Sequence, residues 1–324
     1  MTIQQLRYIV TLEKERHFAR AAEKCLVTQP GLTIQLKKLE EEIGIKIFDR
    51  SKIPLEPTPL GLEIVEKAKK ILREVDTVRD FIIEQKNILT GKVHLGVVST
   101  LSPYLIPLCL REFQKTLPDI QFIISEDSTV GLMNTLETGE LDVALMATPT
   151  GNSNLREFPI FNEPFMAYLP MHHQKATQNT YELDDHDRDN LLILEGEFCY
   201  NSQLLDICSL GTSNAHLNFS YEINSIETLK NMVRQGFGFA IVPWLSTWGE
   251  TTQTKANSIP FAIPQPAREI SLVTSDTFSK KLLAEKMSQA IWESLPDALK
   301  SMTTYRKIRW DDSPYFSKNV QVKI

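Results

Sequence analysis

Residues 18–40 carry two short helical patterns separated by a tight break, and this stretch constrains the fold more than any other segment. The first pattern has an inner face of small and apolar residues: Ala21, Ala22, Leu26 and Val27. Leucines recur at spacings of four and three on the second pattern: Leu32, Leu36 and Leu39. Thr28 suits an N-cap, and Pro30 lies in the first turn, where a missing N–H costs nothing. The stretch therefore predicts two helices that each bury one side.

The outer face of the second predicted helix is polar and basic. It carries Gln29, Thr33, Lys37 and Lys38. Such groups bond base edges and phosphates when a helix lies in the major groove of DNA. Residues 1–38 hold seven basic and three acidic side chains, or +4, whereas residues 91–324 hold 19 basic and 27 acidic ones, or −8. The pattern favours a DNA-reading helix-turn-helix, and an ordinary helical hairpin with a solvated basic face is the alternative.

The opening 61 residues resemble the DNA-binding domain of LysR-type transcriptional regulators. The motifs of that family stand in order: QLRY, HFARAAE, TQPGLT, LEEEIG, IFDR and TPLG. The resemblance implies a winged helix-turn-helix over residues 1–58, with Arg50 at the tip of a small wing. Arg50 is expected to meet the DNA backbone or minor groove, the alternative being a surface pair with Asp49. The expected DNA-contacting residues are Thr28, Gln29, Pro30, Thr33, Lys37, Lys38 and Arg50.

A long helix with a narrow apolar stripe is predicted after the wing. It begins at Thr58 and Pro59 and runs to about Asn87. So narrow a stripe on so long a helix requires a partner helix. In the LysR family this linker, residues 59–90, forms the dimer interface. The resemblance therefore implies a symmetric homodimer on a two-fold operator in double-stranded DNA, assembly to a homotetramer, and RNA polymerase as a partner.

From Lys92 onward, short strands alternate with helices. The predicted strands are VHLGVV, IQFIIS, LDVALM, FMAYLP, LLILE, FSYEI, FAIVP and ISLVTS. This alternation predicts an α/β fold with mainly parallel sheets. A helix over residues 226–235 is expected to be capped by Asn224.

The order of these elements resembles the two-lobed effector domain of LysR-type regulators, which is similar to periplasmic binding proteins. The resemblance implies an effector domain over residues 91–300. Lobe one would comprise residues 92–162 and 268–300, and lobe two residues 163–267. Residues 301–324 remain as a C-terminal tail without a clear period.

Hydroxyl side chains follow two of the predicted strands. Ser99 and Thr100 end the first strand, and Ser128 and Thr129 follow the second. Ligands of such sheets bind beyond the carboxyl ends of strands, where helix N-termini supply N–H donors. The two pairs are expected to converge on one cleft, although simple helix capping would also explain them.

Two cysteines nine residues apart, Cys199 and Cys208, lie in LLILEGEFCYNSQLLDICSLG. Here the chain is similar to the OxyR-like peroxide sensors of the LysR family, and LLILE, ETLKNMV and AIVP match around the pair. The resemblance implies that Cys199 is peroxidatic and Cys208 resolving, that Thr100 and Thr129 hold peroxide, and that Arg268 lies beside that pocket. Two ordinary buried thiols at a coincidental spacing are the alternative.

The spacing has a mechanical consequence. A helix over residues 201–207 would separate the two Cα atoms by roughly 13 Å, whereas a disulfide tolerates about 7 Å at most. Oxidation would then have to unwind the segment, as a switch requires. Phe198 and Asn201 replace a histidine and a basic residue of well-known family members, and both of those groups would have favoured a thiolate.

Composition narrows the class of protein. The chain has 324 residues, of which 42% are hydrophobic and 23% charged, as expected for a soluble globular protein with a large buried core. No apolar run is long enough to span a bilayer, and the N-terminus lacks the order of a secretory signal, so a cytoplasmic location without membrane contact is expected.

The four cysteines show no CxxC or His/Cys cluster, so no metal or cofactor is expected. Cys25 and Cys109 are expected to be small core residues.

Several functions compete. The leading expectation is a regulator that senses hydrogen peroxide by reversible Cys199–Cys208 disulfide formation and controls antioxidant genes, with a glutaredoxin- or thioredoxin-type reductant. A LysR-type regulator that binds a small metabolite in the inter-lobe cleft, with incidental cysteines, is the alternative. A solute-binding protein fits the effector half alone. A thiol peroxidase would need repeated turnover, whereas stoichiometric consumption of peroxide, and hence no enzyme activity, is expected.

Overall fold

The computed structural model describes residues 1–85, 89–183, 190–194, 198–208, 222–250 and 256–309. The chain divides into two compact units, Met1–Asn87 and Ile88–Ile324. Among the described residues, no helix is both long and apolar enough to cross a membrane.

The N-terminal unit is a winged helix-turn-helix followed by a long helix. Its helices are α1 Ile3–Glu15, α2 Phe18–Lys24, α3 Gln29–Ile43 and α4 Pro59–Gln85. The wing is formed by β1 Phe48–Asp49 and β2 Glu56–Pro57, which pair antiparallel. The predicted helix pair and wing are confirmed. Leu26, expected on the inner face of the first helix, is instead 92% exposed, because α2 ends at Lys24 and Leu26 lies in the break that follows. The predicted end of the long helix, Asn87, lies outside the described residues.

Local sequence signals fix these elements. The Thr28 hydroxyl accepts a hydrogen bond from Gly31 N at 3.2 Å and caps α3, with Pro30 in its first turn. Gly44 ends α3 at a φ of 71°, a left-handed conformation that glycine adopts without strain. The leucine face of α3 is buried in the core of this unit with Ile9 and Phe48. Capping and the leucine spacing thus place the polar face of α3 outward.

The C-terminal unit is α/β. Its strands are β3 Gly91–Val98, β4 Ile120–Asp127, β5 Val143–Thr148, β6 Leu155–Pro170, β7 Ala240–Pro243, β8 Ala256–Pro260, β9 Gln265–Ser275 and β10 Tyr305–Lys307. Its helices are α5 Ser102–Thr116, α6 Thr129–Thr138, α7 Phe198–Cys208, α8 Ile226–Arg234, α9 Lys281–Ser294 and α10 Asp297–Lys300. A 3-10 turn, Trp244–Ser246, follows β7.

The sheet order is β4-β3-β5-β9-β6-β7, with β10 on β9 and β8 on β6. Strand β3 is parallel to β4 and β5, as predicted. Strand β10 is also parallel to β9. The prediction of mainly parallel sheets is wrong for the other pairs, because β9 runs antiparallel between β5 and β6, and β6 is antiparallel to β7 and β8. Strand β9 follows β8 after residues 261–264 and keeps the same direction, so that both strands run antiparallel to the long strand β6.

Strand β6 connects two groups of strands, the two lobes of this unit. Residues 155–164 pair with β9, and residues 166–170 pair with β8. The two lobes therefore share a continuous strand, and the point of passage lies near Glu163, opposite Arg268 on β9.

Two local predictions are wrong. Residues 191–194 form an isolated bridge at Leu191 instead of a strand, because they dock against Phe239 without a longer ladder. Helix α8 is capped by Ser225, whose hydroxyl accepts from Thr228 N at 3.2 Å, instead of by Asn224. The predicted strand FSYEI lies largely outside the described residues, as does the tail from residue 310.

Candidate functional site

A fully buried ion pair lies where β6 passes between the lobes. Glu163 and Arg268 are register partners on β6 and β9, and their residues are 0% and 1% exposed. The Nε and Nη2 atoms of Arg268 donate to Glu163 Oε2 at 3.0 and 2.8 Å. The second carboxylate oxygen accepts from Leu245 N at 2.9 Å. Both charges are thus compensated and hydrogen-bonded, as buried charges must be.

Arg268 also reaches the loop that joins β3 to α5. Its Nη1 donates to Thr100 Oγ1 at 2.8 Å, and Nη2 donates to the Thr100 carbonyl at 3.2 Å. Thr100 is buried. The network therefore ties the end of β3 in one lobe to Leu245, in the 3-10 turn that follows β7 in the other lobe. Of the residues predicted for the pocket, Thr100 and Arg268 are in direct contact.

The other hydroxyls predicted for the pocket lie at the same edge of the sheet. Val98 of β3 and Asp127 of β4 are register partners, so Ser99 and Ser128 follow neighbouring strand ends. The Ser128 hydroxyl caps α6 by accepting from Gly131 N at 3.2 Å. Thr129, the first residue of α6, is buried. Capping explains Ser128 by itself, whereas the capping alternative does not explain Thr100, which Arg268 holds.

Both candidate redox cysteines belong to α7, Phe198–Cys208. Residues 199 and 208 stand at its two ends, so the helical rise separates their Cα atoms by roughly 13 Å. The side chains of Cys199 and Cys208 are outside the described part of the structure. Two flanking side chains dock the helix: Tyr200 donates to the Ile241 carbonyl, and Asn201 Nδ2 donates to the Leu194 carbonyl at 2.6 Å.

Helix α7 also buries polar atoms without partners. Ser202 and Gln203 are each 1% exposed, yet Ser202 Oγ and Gln203 Nε2 have no hydrogen-bond partner in the part of the chain that the structure describes. Each such group costs about 1–3 kcal/mol. Its helical form is therefore held against a local energetic cost.

The remaining two cysteines are free thiols. Cys109 is buried on α5, and burial raises the pKa of its thiol to about 12, although a hydrogen bond with Ser294 opposes that shift. A thiol with so high a pKa is protonated at neutral pH and reacts slowly. Cys25 is half-buried at the end of α2 and packs against the core of its unit. The expectation of a core residue fits Cys109 fully and Cys25 in part.

The residues predicted to meet DNA lie on α3 and at its N-cap, except Arg50, which follows β1 in the wing. Five of them are exposed: Thr28, Gln29, Pro30, Lys37 and Lys38. Thr33 is half-buried, and its hydroxyl donates to the Gln29 carbonyl at 2.9 Å. The buried leucines of α3 face the opposite way, so this polar surface is open to solvent.

Arg50 pairs with a residue that the sequence did not predict. Its Nη2 donates to Glu40 Oε2 at 3.1 Å, and its guanidinium lies over the Phe18 ring at 5.8 Å. The surface pair of Arg50 with Asp49 is absent, because Asp49 accepts from Ser51 N at 3.0 Å and from the Ser51 hydroxyl at 2.6 Å. Glu40 continues the spacing of Leu32 and Leu36, which was a signal that it is buried.

Glu163 is the second residue that the sequence prediction missed. It stands next to the otherwise apolar run PFMAYLP, where a carboxylate must have a buried partner. That signal was available, but the identity of the partner was not.

A winged helix-turn-helix joined to a two-lobed α/β unit with a polar network between its lobes defines a class of proteins, the transcription regulators that pair a DNA reader with an effector unit. Residues 3–62 match the family described as bacterial regulatory helix-turn-helix protein, lysR family, and residues 86–295 match the LysR substrate binding domain. The chain belongs to the LysR family of transcription regulators.

Similar proteins cover nearly the whole chain. The hydrogen peroxide-inducible genes activator of Haemophilus influenzae is 33% identical over 299 residues, which are 92% of this chain and 99% of that protein. A full-length OxyR variant from Pseudomonas aeruginosa is similar in structure, with a TM-score of 0.75 and 32% identity over 90% of this chain and 98% of that one. An OxyR mutant of Corynebacterium glutamicum with hydrogen peroxide bound has a TM-score of 0.60 and 28% identity over 92% and 96% of the two chains.

Proposed function

We propose that this regulator senses hydrogen peroxide through reversible formation of a Cys199–Cys208 disulfide and thereby controls antioxidant genes. The observation that carries the proposal is the position of both cysteines at opposite ends of one helix, α7, in a chain similar to hydrogen peroxide-inducible activators over most of its length.

The chemistry needs two thiols and one peroxide. The Cys199 thiolate attacks one peroxide oxygen, the O–O bond breaks, and hydroxide leaves, so that Cys199 becomes a sulfenic acid. The Cys208 thiolate then attacks the Cys199 sulfur, and hydroxide leaves as the disulfide forms. Each hydroxide takes up a proton to become water. The two thiols lose two electrons in total, and a cellular dithiol of the glutaredoxin or thioredoxin type returns them.

The helix makes this oxidation a conformational switch. The Cα separation of roughly 13 Å across α7 far exceeds the limit of about 7 Å for a disulfide. Residues 199–208 must therefore leave the helical conformation when the bond forms. Ser202 Oγ and Gln203 Nε2 have no partner among the described residues, and unwinding can expose them to water, which lowers the cost of that step.

The proposed peroxide pocket is formed by Thr100, Thr129 and Arg268 with Ser99 and Ser128. Since Thr100 Oγ1 already accepts from Arg268, its own O–H remains to donate to a peroxide oxygen. Glu163 neutralises Arg268, so the guanidinium orients donors in the pocket without adding net charge. With Phe198 and Asn201 beside the helix start, activation of Cys199 then depends on the N-terminus of α7.

The DNA-reading part of the proposal concerns the N-terminal unit. Thr28, Gln29, Pro30, Thr33, Lys37 and Lys38 would contact base edges and backbone from α3, and Arg50 would contact backbone from the wing. Residues 1–58 would form the reader, and residues 59–90 the linker. The domain limits 91–300, with lobes at 92–162 plus 268–300 and at 163–267, are part of the proposal.

Assembly is proposed through α4. Its apolar stripe leaves Ile71, Val78 and Ile82 between 42% and 60% exposed in the single chain, which favours a partner helix. A homodimer on a two-fold operator in double-stranded DNA follows, with a homotetramer as the complete assembly, RNA polymerase as the partner in activation, and the cytoplasm as the site of action.

The test is intact-mass analysis and peptide mapping of the reduced protein before and after about stoichiometric peroxide, with Cys199→Ser and Cys208→Ser variants. The expected result is loss of two hydrogens in a Cys199–Cys208 peptide, and a trappable sulfenic acid on Cys199 in Cys208→Ser. If both thiols stay reduced while DNA binding is intact, the proposal fails and a metabolite-responsive LysR-type regulator remains. Repeated turnover at an enzyme-like rate would indicate a thiol peroxidase instead.

A further inference from the structure

Helix α3 carries three consecutive glutamates, Glu40, Glu41 and Glu42, and only Glu40 faces inward. Its side chain is 1% exposed, whereas Glu41 and Glu42 are largely exposed. A buried carboxylate must be satisfied by donors. The donors of Glu40 come from the segment that leads into the wing.

The wing root, Lys46–Phe48, is hydrogen-bonded to this carboxylate through backbone N–H groups. Ile47 N donates to Glu40 Oε1 at 2.9 Å, and Phe48 N donates to the same atom at 3.3 Å. The side chains of Ile47 and Phe48 are buried in the core of the unit. Glu40 therefore fixes the start of the wing relative to α3.

The other side of the wing root is bonded to the start of α4. Thr58 N donates to the Ile47 carbonyl at 2.9 Å, and the Thr58 hydroxyl donates to the Lys46 carbonyl at 2.8 Å. Any side chain at Gly61 would meet the Ile47 carbonyl oxygen, since a Cβ there would lie 1.9 Å from it. Recognition helix, wing and linker helix are thus joined at Lys46–Phe48.

Glu40 also holds Arg50 of the wing, and the same carboxylate oxygen lies 3.5 Å from Lys46 Nζ. Glu40 Oε2 accepts from Arg50 Nη2 at 3.1 Å, and the Phe18 ring lies beneath the guanidinium. The Arg50 side chain remains 38% exposed. A guanidinium has five N–H donors, so a group held in this way can still bond a phosphate.

We propose that Glu40 is a positioning residue for DNA binding. It holds the wing and Arg50 in the conformation that contacts a backbone phosphate beside the bases read by α3, so the contact forms without a further loss of side-chain entropy. The inference rests on the proposed function in DNA binding, and it assigns the role to a residue that DNA does not touch.

The test compares reduced full-length variants on a duplex that the wild-type protein selects from a pool of random sequences. Dissociation constants are measured over a range of KCl concentrations for Glu40→Gln, Arg50→Ala and the double variant. Glu63→Gln is the matched control, because it makes the same charge change at an exposed position of α4. Thermal melting establishes that each variant is folded.

We expect Glu40→Gln to bind about tenfold more weakly, or about 1.4 kcal/mol. We expect the slope of log K against log salt to fall in magnitude by about 0.9 for each wing, as one phosphate contact is lost. Arg50→Ala should show the same loss, and the double variant no greater one. Glu63→Gln should bind as the wild type does.

Several outcomes of these measurements would overturn the inference. Tighter binding by Glu40→Gln would mean that Glu40 competes with phosphate for Arg50, and weaker binding with an unchanged salt slope would mean a general structural role. If Glu40→Gln is unfolded, Arg50→Lys replaces it, because only a partly exposed side chain changes. A single ammonium cannot reproduce the fork that bonds Glu40 and a phosphate together, so binding should weaken severalfold. Wild-type affinity of Arg50→Lys would equally overturn the inference.

Failure of the proposed function has a different signature. A wild-type protein that selects no duplex, or whose base preference ignores changes on α3, would remove the premise. Normal selection with a Glu40→Gln variant that behaves as the wild type would remove the inference alone.

Discussion

Arg268 and Glu163 face each other across β9 and β6, fully buried, at the point where β6 passes from one lobe of the effector unit to the other. The carboxylate takes two N–H donors from Arg268 and one from Leu245, while the guanidinium extends to Thr100. The pair therefore belongs both to the connection between the lobes and to the proposed peroxide pocket. The charge balance of this ion pair and the stability of the effector unit are therefore linked.

Replacement of Glu163 by glutamine should destabilise the effector unit strongly. The change leaves the Arg268 charge buried without a counter-ion, which costs about 3–5 kcal/mol in the free energy of unfolding. Urea denaturation of the reduced protein measures it. Combined Glu163→Gln and Arg268→Met should restore most of the loss, since no buried charge then remains. Glu112→Gln, which breaks a surface pair with Lys115, should leave the urea midpoint near that of the wild type.

Replacement of Ser202 by alanine should make the disulfide easier to reduce. The variant removes a buried hydroxyl that has no partner in the described part of the chain, and so stabilises the reduced helix α7. A gain of about 1 kcal/mol in the reduced form raises the reduction potential by about 20 mV. Titration in defined dithiol buffers with mass-spectrometric readout measures the midpoint. Ser301→Ala, an exposed position, is the control. A lower potential for Ser202→Ala would contradict the energetic cost assigned to burying this hydroxyl in α7.

Cys109 should make stability depend on alkaline pH. Burial raises the pKa of its thiol to about 12 from an ordinary value of 9.0, so above about pH 9 the unfolded state loses this proton and the folded state keeps it. The contribution is fully present below that range and is lost as pH rises from about 9 to about 12. Unfolding free energies across this range measure the effect, and Cys109→Ala should flatten the slope by one proton. An unchanged slope would show that Cys109 does not carry the dependence.

Substitutions on the polar face of α3 should distinguish base recognition from phosphate contacts. Gln29→Ala should relax the preference for one base pair by about 1–3 kcal/mol, since a side-chain amide can read a base edge. Lys38→Ala should weaken binding to all sequences alike and reduce the salt slope by about 1. Competition between the selected duplex and single-base variants distinguishes the two. Unaltered base preference in Gln29→Ala would contradict the groove assignment.

Much of this architecture follows from local signals. The caps of α3 and α4, the leucine face of α3 and the wing of two short strands depend on short-range spacing and on hydrogen bonds between near neighbours. Such interactions reside in a few consecutive residues. The cap of α8 was misplaced by one residue because Asn224 and Ser225 are both good caps, and only the backbone decides which one is extended.

The sequence by itself determined most of the order of elements and the polar face of α3, whereas the helix that carries both cysteines was only a condition of the argument until the structure showed α7. Only the tertiary structure decided that β9 runs antiparallel between β5 and β6, and that Glu163 and Glu40 hold the two arginines. Glu163 and Arg268 are 105 residues apart in the chain. No periodicity links residues at that distance. Their pairing is set by the strand order and by the cost of leaving a buried charge without a partner.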